Sequence, residues 1–371
     1  MFLALRDIRF AKGRFALMGT VVALISLLLV MLSGLTAGLG NQSTSSIADL
    51  GKATGAPVNQ MVFGAPGKNT PTVSFTESEI TQGQLDAWGK QPGVASAVPL
   101  GISQTRLQGA GATKGTTNVA VFGVGDKGAE AGITPSAVTD GTVVIGEGVA
   151  KQLDLSAGES VSMGGTVLKI SAVVPDQWYS HTSVVWTTLP TWTKLAHLSD
   201  PGQIATVVAV TYDAGATVDA DAANATAGTV STTRSGSFAG LGGYKSENGS
   251  LMMMQAFLYG ISALVIVAFL TVWTVQRTRD IAVLKAMGAS GSYLLKDAMT
   301  QAAIVLLAGA ALGGLIGLVG GIFAAKAAPF LVTPATTLLP VVGIVALGLA
   351  GAALAVRKVT RVDALIALGG N

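Results

Sequence analysis

The sequence predicts a membrane protein with four transmembrane α-helices and a large α+β extracytoplasmic domain inserted between helices 1 and 2. Only 12% of its 371 residues are charged, whereas a soluble domain averages about 25%. Four uncharged runs, at 15–48, 248–276, 298–325 and 327–356, are each longer than the stretch of about 20 residues that spans a bilayer core. A long segment with charged and turn-forming residues separates the first two runs, and it is large enough to fold as a domain.

The basic residues indicate the orientation of the chain. Lysines and arginines precede the first run, lie between the second and third, and follow the fourth, whereas the third and fourth runs are separated by Lys326 alone. Because positive residues are retained in the cytoplasm, we expect a multi-pass protein of the cell (inner) membrane with both termini inside and 49–248 outside. The net charge of +3 then reflects topology and does not indicate nucleic-acid binding.

These patterns set the predicted boundaries. They are a cytoplasmic elbow (1–14), helix 1 with an outward extension (15–48), the extracytoplasmic domain (49–248), helix 2 (249–276), a cytoplasmic segment (277–296), helix 3 (297–325), helix 4 (335–356) and a cytoplasmic tail (357–371). The elbow has two interpretations that remain open: an amphipathic helix in the membrane interface, or a charged flank that only sets orientation.

The extracytoplasmic domain is predicted to have two lobes. A helix at 78–90, capped by Thr76 or Ser78, lies between strands at 56–64 and 94–107, which suggests a small α/β lobe formed by about 49–110 and 200–246. Further strands are predicted at 119–124, 142–145, 160–163, 167–174, 183–187 and 205–211. Their spacing is typical of an all-β barrel or sandwich, so a β-rich lobe is expected at about 111–200.

The residues expected for catalysis are missing. No Gly-x-x-x-x-Gly-Lys-[Ser/Thr] phosphate loop occurs, and there is no cysteine and no His-Glu-x-x-His. The two histidines, His181 and His197, fall in the predicted β-rich lobe, where a satisfied surface histidine is the expected role. Trp178 and Tyr179 are expected in the core of that lobe. The sequence therefore favours a protein that is not an enzyme and has no intrinsic cofactor.

Helix 3 carries a regular stripe of small residues. Gly309, Gly313, Gly317 and Gly321 are each four residues apart, so they share one helical face. Small residues on one face allow a second helix to approach closely in a membrane. We predict that this face packs against a neighbouring helix.

The segment after helix 2 carries a family resemblance. Residues 276–290 read QRTRDIAVLKAMGAS, and this segment resembles the corresponding one of FtsX-like/MacB-like ABC transporter permeases, whose layout of helices and outer domain is also similar. The resemblance implies a homodimer that binds two copies of a cytoplasmic ABC ATPase, which carries ATP and Mg. It also implies that this segment contacts the ATPase through Arg277, Arg279, Asp280, Lys285 and Met287. The alternative is a basic flank that only sets topology.

Three shorter stretches are similar to the hemin-exporting (HrtB-like) branch of that family: LRDIRF at 5–10, YSHTSVV at 179–185 and GGYKSENGSLMMM at 242–254. This resemblance implies haem as the transported cargo. Haem is a flat, apolar molecule whose iron takes axial ligands from the protein.

Glu247 is the candidate ligand of the haem iron, since it is the last ionisable residue before helix 2 and acids at such positions are functional by default. The other predicted cargo contacts are Tyr244, Met252, Met253, Met254 and Phe257, with Arg234 or Lys245 for the propionates. The alternative is that Glu247 only stabilises the N-terminus of a helix and the methionines face lipid. Two other functions stay open: a mechanotransmitting permease that regulates an extracellular partner, and an exporter of lipoprotein, peptide or antibiotic.

Overall fold

The computed structural model describes residues 12–109, 115–276, 283 and 287–359. The chain divides into two compact units, a helical unit made of Met1–Leu39 and Gly249–Asn371, and a β-rich unit made of Gly40–Asn248. In chain order the helices and strands are α1 (Lys12–Ala48), β1 (Gln60–Phe63), β2 (Ile80–Thr81), α2 (Gln82–Gly89), β3 (Val94–Gly109), β4 (Thr116–Val124), β5 (Thr142–Gly146), α3 (Glu147–Leu153), β6 (Ser160–Met163), β7 (Thr166–Val174), β8 (Trp178–Tyr179), β9 (Thr182–Thr188), α4 (Leu189–Ala196), β10 (Gln203–Ala205), β11 (Val207–Tyr212), α5 (Ala220–Ala227), β12 (Val230–Thr233), α6 (Tyr244–Gln276), α7 (Gly291–Ala324) and α8 (Pro334–Val359).

Among the described residues, four helices are long and apolar enough to cross a membrane: α1, α6, α7 and α8. The predicted fold class, four spanning helices with a large domain between the first and second, is confirmed. Residues 1–11 of the predicted elbow (1–14) and residues 360–371 of the predicted tail (357–371) lie outside the described residues. The other residues of both segments belong to α1 and α8.

Within the helical unit, the glycine stripe of α7 faces α1. A Cβ added at Gly313 would collide with the backbone of Ala23, and one added at Gly309 would meet the carbonyl oxygen of Gly19. Farther along, one at Gly317 would touch Val30. The buried Ser26 hydroxyl of α1 also donates a 3.0 Å hydrogen bond to the carbonyl oxygen of Ala310. The two backbones therefore approach closely, as small residues permit.

At the end of the stripe, Gly321 makes room for an aromatic side chain. The ring of Phe330, from the connection between α7 and α8, packs against Gly321 and against Gly34 of α1. The next residue, Leu331, donates a 3.0 Å backbone hydrogen bond to the Gly34 carbonyl. This connection is therefore fixed to α1.

In the part of the chain that the structure describes, the β-rich unit contains one ten-stranded sheet with the main order β12-β1-β11-β3-β4-β9-β5-β7-β6. Because β6 also pairs with β3, the strands β3, β4, β9, β5, β7 and β6 close into a ring. Of the two predicted architectures, the barrel is therefore the correct one. Every strand of the ring contributes buried residues to one hydrophobic cluster, among them Leu107, Val121, Val185, Val143, Leu168 and Val161.

The long strand β3 belongs to both parts of this unit. Residues 94–100 pair with β11, and residues 100–108 pair with β4. The two predicted lobes thus share one continuous strand. The end of α1 also joins the core here, since Ile47 packs fully buried in the same cluster as Phe122 and Trp186.

The predicted cap of the first small helix was wrong. Thr81, not Thr76 or Ser78, caps α2 in a reciprocal box with Gln84. The reason is that Ile80–Thr81 forms β2, which pairs with β10. Ser78 is buried and instead donates a 2.6 Å hydrogen bond to the Thr206 carbonyl.

Candidate functional site around Glu247

Glu247 lies in the first turn of α6, where a carboxylate interacts favourably with the helix dipole. Its Oε2 lies 2.9 Å from Nε2 of His181. The same Nε2 lies 3.1 Å from the hydroxyl oxygen of Ser43, on the last turns of α1. One imidazole therefore links the end of α1 to the beginning of α6. The side chains of His181 and Glu247 are 40% and 37% exposed, so a ligand can reach both.

The contact with Glu247 places a proton on Nε2 of His181. An ionised carboxylate only accepts hydrogen bonds, so Nε2 of His181 must be the donor to Glu247. The other ring nitrogen, Nδ1, makes no hydrogen bond to any residue that the structure describes, and the same is true of Oε1 of Glu247. Each partner therefore keeps one polar atom, Nδ1 or Oε1, that no described residue engages.

His181 occupies a tight hairpin turn. Tyr179 of β8 pairs with Thr182 of β9, which leaves Ser180 and His181 as a two-residue loop with φ of 45° and 62°. Positive φ at both loop residues is the signature of a type I′ turn, in which Asn-Gly is the favoured pair. A non-glycine residue in such a conformation is strained by about 1–3 kcal/mol.

The surrounding structure holds this turn in place. The backbone N–H groups of Ser180 and His181 donate to the carbonyls of Ser43 and Gln42, at 3.1 and 3.0 Å. The Ser45 hydroxyl oxygen accepts from the Trp178 N–H at 2.9 Å. The hairpin is therefore bound along the last turns of α1, and this contact points the imidazole towards Glu247.

Beneath the turn, Tyr179 is buried in the aromatic core, where its ring packs edge-on against Phe75 and Phe122. Burial raises the pKa of the Tyr179 hydroxyl far above its usual range. The expectation that Tyr179 belongs to the core is confirmed, while Trp178 is only partly buried.

Two predicted cargo contacts have structural partners. Tyr244 packs edge-on against Phe238, with ring centroids 6.1 Å apart. Nη1 of Arg234 donates a 2.9 Å hydrogen bond to the Leu50 carbonyl. Lys245, in contrast, is exposed.

The remaining predicted contacts lie on the uncovered surface of α6. Met252, Met253, Met254 and Phe257 are each more than half exposed. Among the four spans found in the described residues, α6 is the least covered by the rest of the chain. Its apolar surface is available to lipid, to cargo or to a second copy of the chain.

Most of the predicted ATPase contacts, Arg277, Arg279, Asp280 and Lys285, lie outside the described residues. Met287 is described and is 70% exposed. Its N–H donates to the Val283 carbonyl at 3.0 Å, a helical bond, and Gly288 follows with φ of 93°. This geometry is typical of a helix that ends at a glycine.

His181 is the site residue that sequence reasoning did not select. Its expected role as a surface histidine accounts for its exposure, but it does not account for the bond to Glu247. The one local signal was a hairpin loop without glycine or asparagine. His197, in contrast, ends α4 with φ of 49° and makes no hydrogen bond to Glu247 or His181 in the described structure.

Two family models match the chain. The model of the MacB-like periplasmic core domain matches residues 15–227, which is more than half of the chain, and that of the FtsX-like permease C-terminal domain matches 252–364. The chain belongs to the MacB/FtsX-type family of ABC transporter permeases. Members of this family are membrane transport subunits and are not themselves enzymes.

Curated relatives extend over the whole permease. A "Putative hemin transport system permease protein HrtB" of Staphylococcus epidermidis is 24% identical over 372 residues, with 100% of both chains covered. The protein of the same name from Staphylococcus haemolyticus is 24% identical, with 100% of this chain and 99% of the relative covered. An "Uncharacterized ABC transporter permease" of Mycobacterium tuberculosis is also 24% identical with the same coverage.

Solved structures resemble part of the permease. The periplasmic region of MacB from Actinobacillus actinomycetemcomitans has a TM-score of 0.36 at 14% identity, covering 49% of this chain and 91% of that chain. The extracellular domain of the noncanonic ABC-type transporter YknZ from Gram-positive bacteria has a TM-score of 0.34 at 13% identity, covering 47% and 98%.

Proposed function

We propose that this permease is the membrane subunit of an ATP-driven efflux pump that exports haem from the membrane, through a site at the outer leaflet centred on Glu247. The observation that carries the proposal is the accessible carboxylate–imidazole pair of Glu247 and His181 at the first turn of an apolar helix. Full-length relatives named for hemin transport support the same cargo.

The chemistry of the pair fits haem better than a free metal ion. In the described part of the chain, no group of three or more His, Cys, Asp or Glu side chains comes together, whereas a protein site for a free ion needs several ligands. Haem iron already has four porphyrin nitrogens and needs only axial ligands. One exposed carboxylate per subunit is therefore enough to bind it.

The assembly that we propose is a homodimer in which α6 lies at the subunit interface. The uncovered apolar surface of α6 supports this arrangement, since exposed methionine and phenylalanine side chains form adaptable contacts. Two copies of Glu247 then face one haem, and Lys245 approaches a propionate. Two cytoplasmic ABC ATPase subunits, with ATP and Mg, bind the segment 277–296 and supply the energy.

An absorption titration of the purified permease with hemin tests the site. We expect a shifted Soret band in wild type, and loss of that shift in Glu247→Ala and Glu247→Gln, because the amide is a poorer iron ligand than the carboxylate. Glu130→Ala is the matched control, since Glu130 is an exposed acid of the same unit. Equal binding by wild type and Glu247→Ala would remove Glu247 from the site.

The ATPase activity of the assembled complex separates export from mechanotransmission. A haem exporter is stimulated by hemin, and the stimulation is lost in Glu247→Ala while basal activity remains. A permease that only transmits force to an extracellular partner does not respond to hemin. Stimulation by a peptide or an antibiotic, with no response to hemin, would reassign the cargo.

A further inference from the structure

We propose that His181 is a positioning residue for cargo capture: its Nε2–H holds Oε2 of Glu247 so that Oε1 is presented to the iron. This inference rests on the proposed function and assigns a role to a residue outside α6. The bond to Oε2 is 2.9 Å long, and Oε1 makes no hydrogen bond to the described residues. The carboxylate is thus held by one oxygen and free at the other.

The contact to Ser43 holds the imidazole of His181 in position beside Glu247. The Ser43 hydroxyl oxygen lies 3.1 Å from the same Nε2, and two backbone bonds hold the turn against Gln42 and Ser43. Ligating carboxylates in proteins are generally hydrogen-bonded by a second group, and loss of that group typically lowers affinity by about 10–100-fold. His181 has the geometry of such a group.

The conformation of the turn argues that His181 is present for its side chain. With φ of 62°, the position favours glycine, which adopts positive φ without strain. A histidine here destabilises the turn relative to glycine. The turn itself therefore gives no reason for a histidine, whereas the bond to Glu247 does.

The strained turn also provides the decisive variant. His181→Gly removes the imidazole and relieves the backbone strain, so we expect a thermal midpoint equal to or above that of wild type, together with hemin affinity weakened about 10-fold or more. His181→Gln restores a donor near the position of Nε2, and we expect it to recover most of the affinity. His197→Gly, which removes a histidine of positive φ that is not bonded to Glu247, is the control.

Soret titration and electron paramagnetic resonance of the full-length permease with hemin measure these effects. Unchanged hemin affinity in His181→Gly would overturn the positioning role and leave the proposed function intact. An imidazole-ligated iron spectrum in wild type that is lost in both His181 variants would also overturn it, because His181 would then be the ligand through Nδ1. If wild type does not shift the Soret band, the proposed function and this inference fail together.

Discussion

Tyr179 packs edge-on against Phe122, with ring centroids 5.4 Å apart and planes at 75°. Only 6% of Tyr179 is exposed, so the phenolate form would be desolvated among aromatic rings. This burial holds the pKa of Tyr179 well above the value of about 10 for a free tyrosine. The stability of the core beneath the His181 turn should therefore depend on pH in the alkaline range.

The first prediction concerns alkaline stability. Because the folded-state pKa is raised, the stabilisation by protonated Tyr179 is fully present below about pH 10 and is lost as pH rises towards the folded-state pKa. We expect Tyr179→Phe to unfold at a temperature that falls less between pH 9 and pH 11 than in wild type. Thermal unfolding of the detergent-solubilised permease measures this, with Tyr293→Phe as the half-exposed control. Parallel pH curves for wild type and Tyr179→Phe would contradict it.

The second prediction concerns the barrel. Trp192 of α4 is buried over Gly101 and Gly123, where added Cβ atoms would collide with it, and its Nε1 donates a 3.1 Å hydrogen bond to Ser103 Oγ. We expect Trp192→Ala to destabilise the β-rich unit by about 3–5 kcal/mol, since a large cavity remains. Trp192→Phe retains most of the packing, and its smaller cost comes mainly from the lost hydrogen bond. Chemical denaturation followed by circular dichroism compares the two, and equal effects would argue against a packing role.

The third prediction concerns the contact of α1 with α7. A methyl group at Gly313 would overlap the backbone of Ala23, so Gly313→Ala forces the helices apart at a cost of about 1–3 kcal/mol. Gly260→Ala on α6 is the matched control, because no atom lies within 4 Å of its added Cβ and alanine favours a helix. The midpoint temperature of thermal unfolding should be lower than wild type in Gly313→Ala and equal to or higher than wild type in Gly260→Ala. A similar change in both would show that the stripe is not a packing surface.

The fourth prediction concerns topology and the ATPase contact. The chain has no cysteine, so a single introduced cysteine gives an unambiguous signal. We expect Met287→Cys to cross-link to the ATPase subunit and to be protected from a membrane-impermeant maleimide in intact cells. Val167→Cys, an exposed position in the β-rich unit, should react with the reagent. The reverse labelling pattern would place the termini outside and exclude the proposed coupling.

Local patterns were sufficient for much of the fold. Strands predicted at 119–124, 142–145 and 160–163 coincide with β4, β5 and β6 to within a few residues, because alternating or continuous apolar residues between turn residues define them. The strand predicted at 205–211 is instead divided into β10 and β11 around Thr206. The Thr206 hydroxyl oxygen accepts a 2.8 Å hydrogen bond from the Ile102 N–H, a contact between residues about 100 positions apart that no local pattern contains.

The candidate site, like the fold, could be predicted from local patterns only in part. Glu247 was found from the sequence because an acid stands out before an uncharged run of this length. His181 was not, since its bond to Glu247 requires the β8–β9 hairpin to pack along α1. Its φ of 62° comes from the two-residue loop between β8 and β9. The bond of Arg234 to the Leu50 carbonyl is also long-range, so no local pattern could have predicted it.

The shared strand β3 has a consequence for engineering. Each half of β3 supplies an edge for different neighbours, β11 on one side and β4 on the other. Exchanging the barrel between relatives at a junction inside 94–109 would therefore create a chimaera whose two hydrogen-bonding registers come from different parents. A chimaera that folds should take the whole of β3, together with the strands that pair with it, from one parent protein.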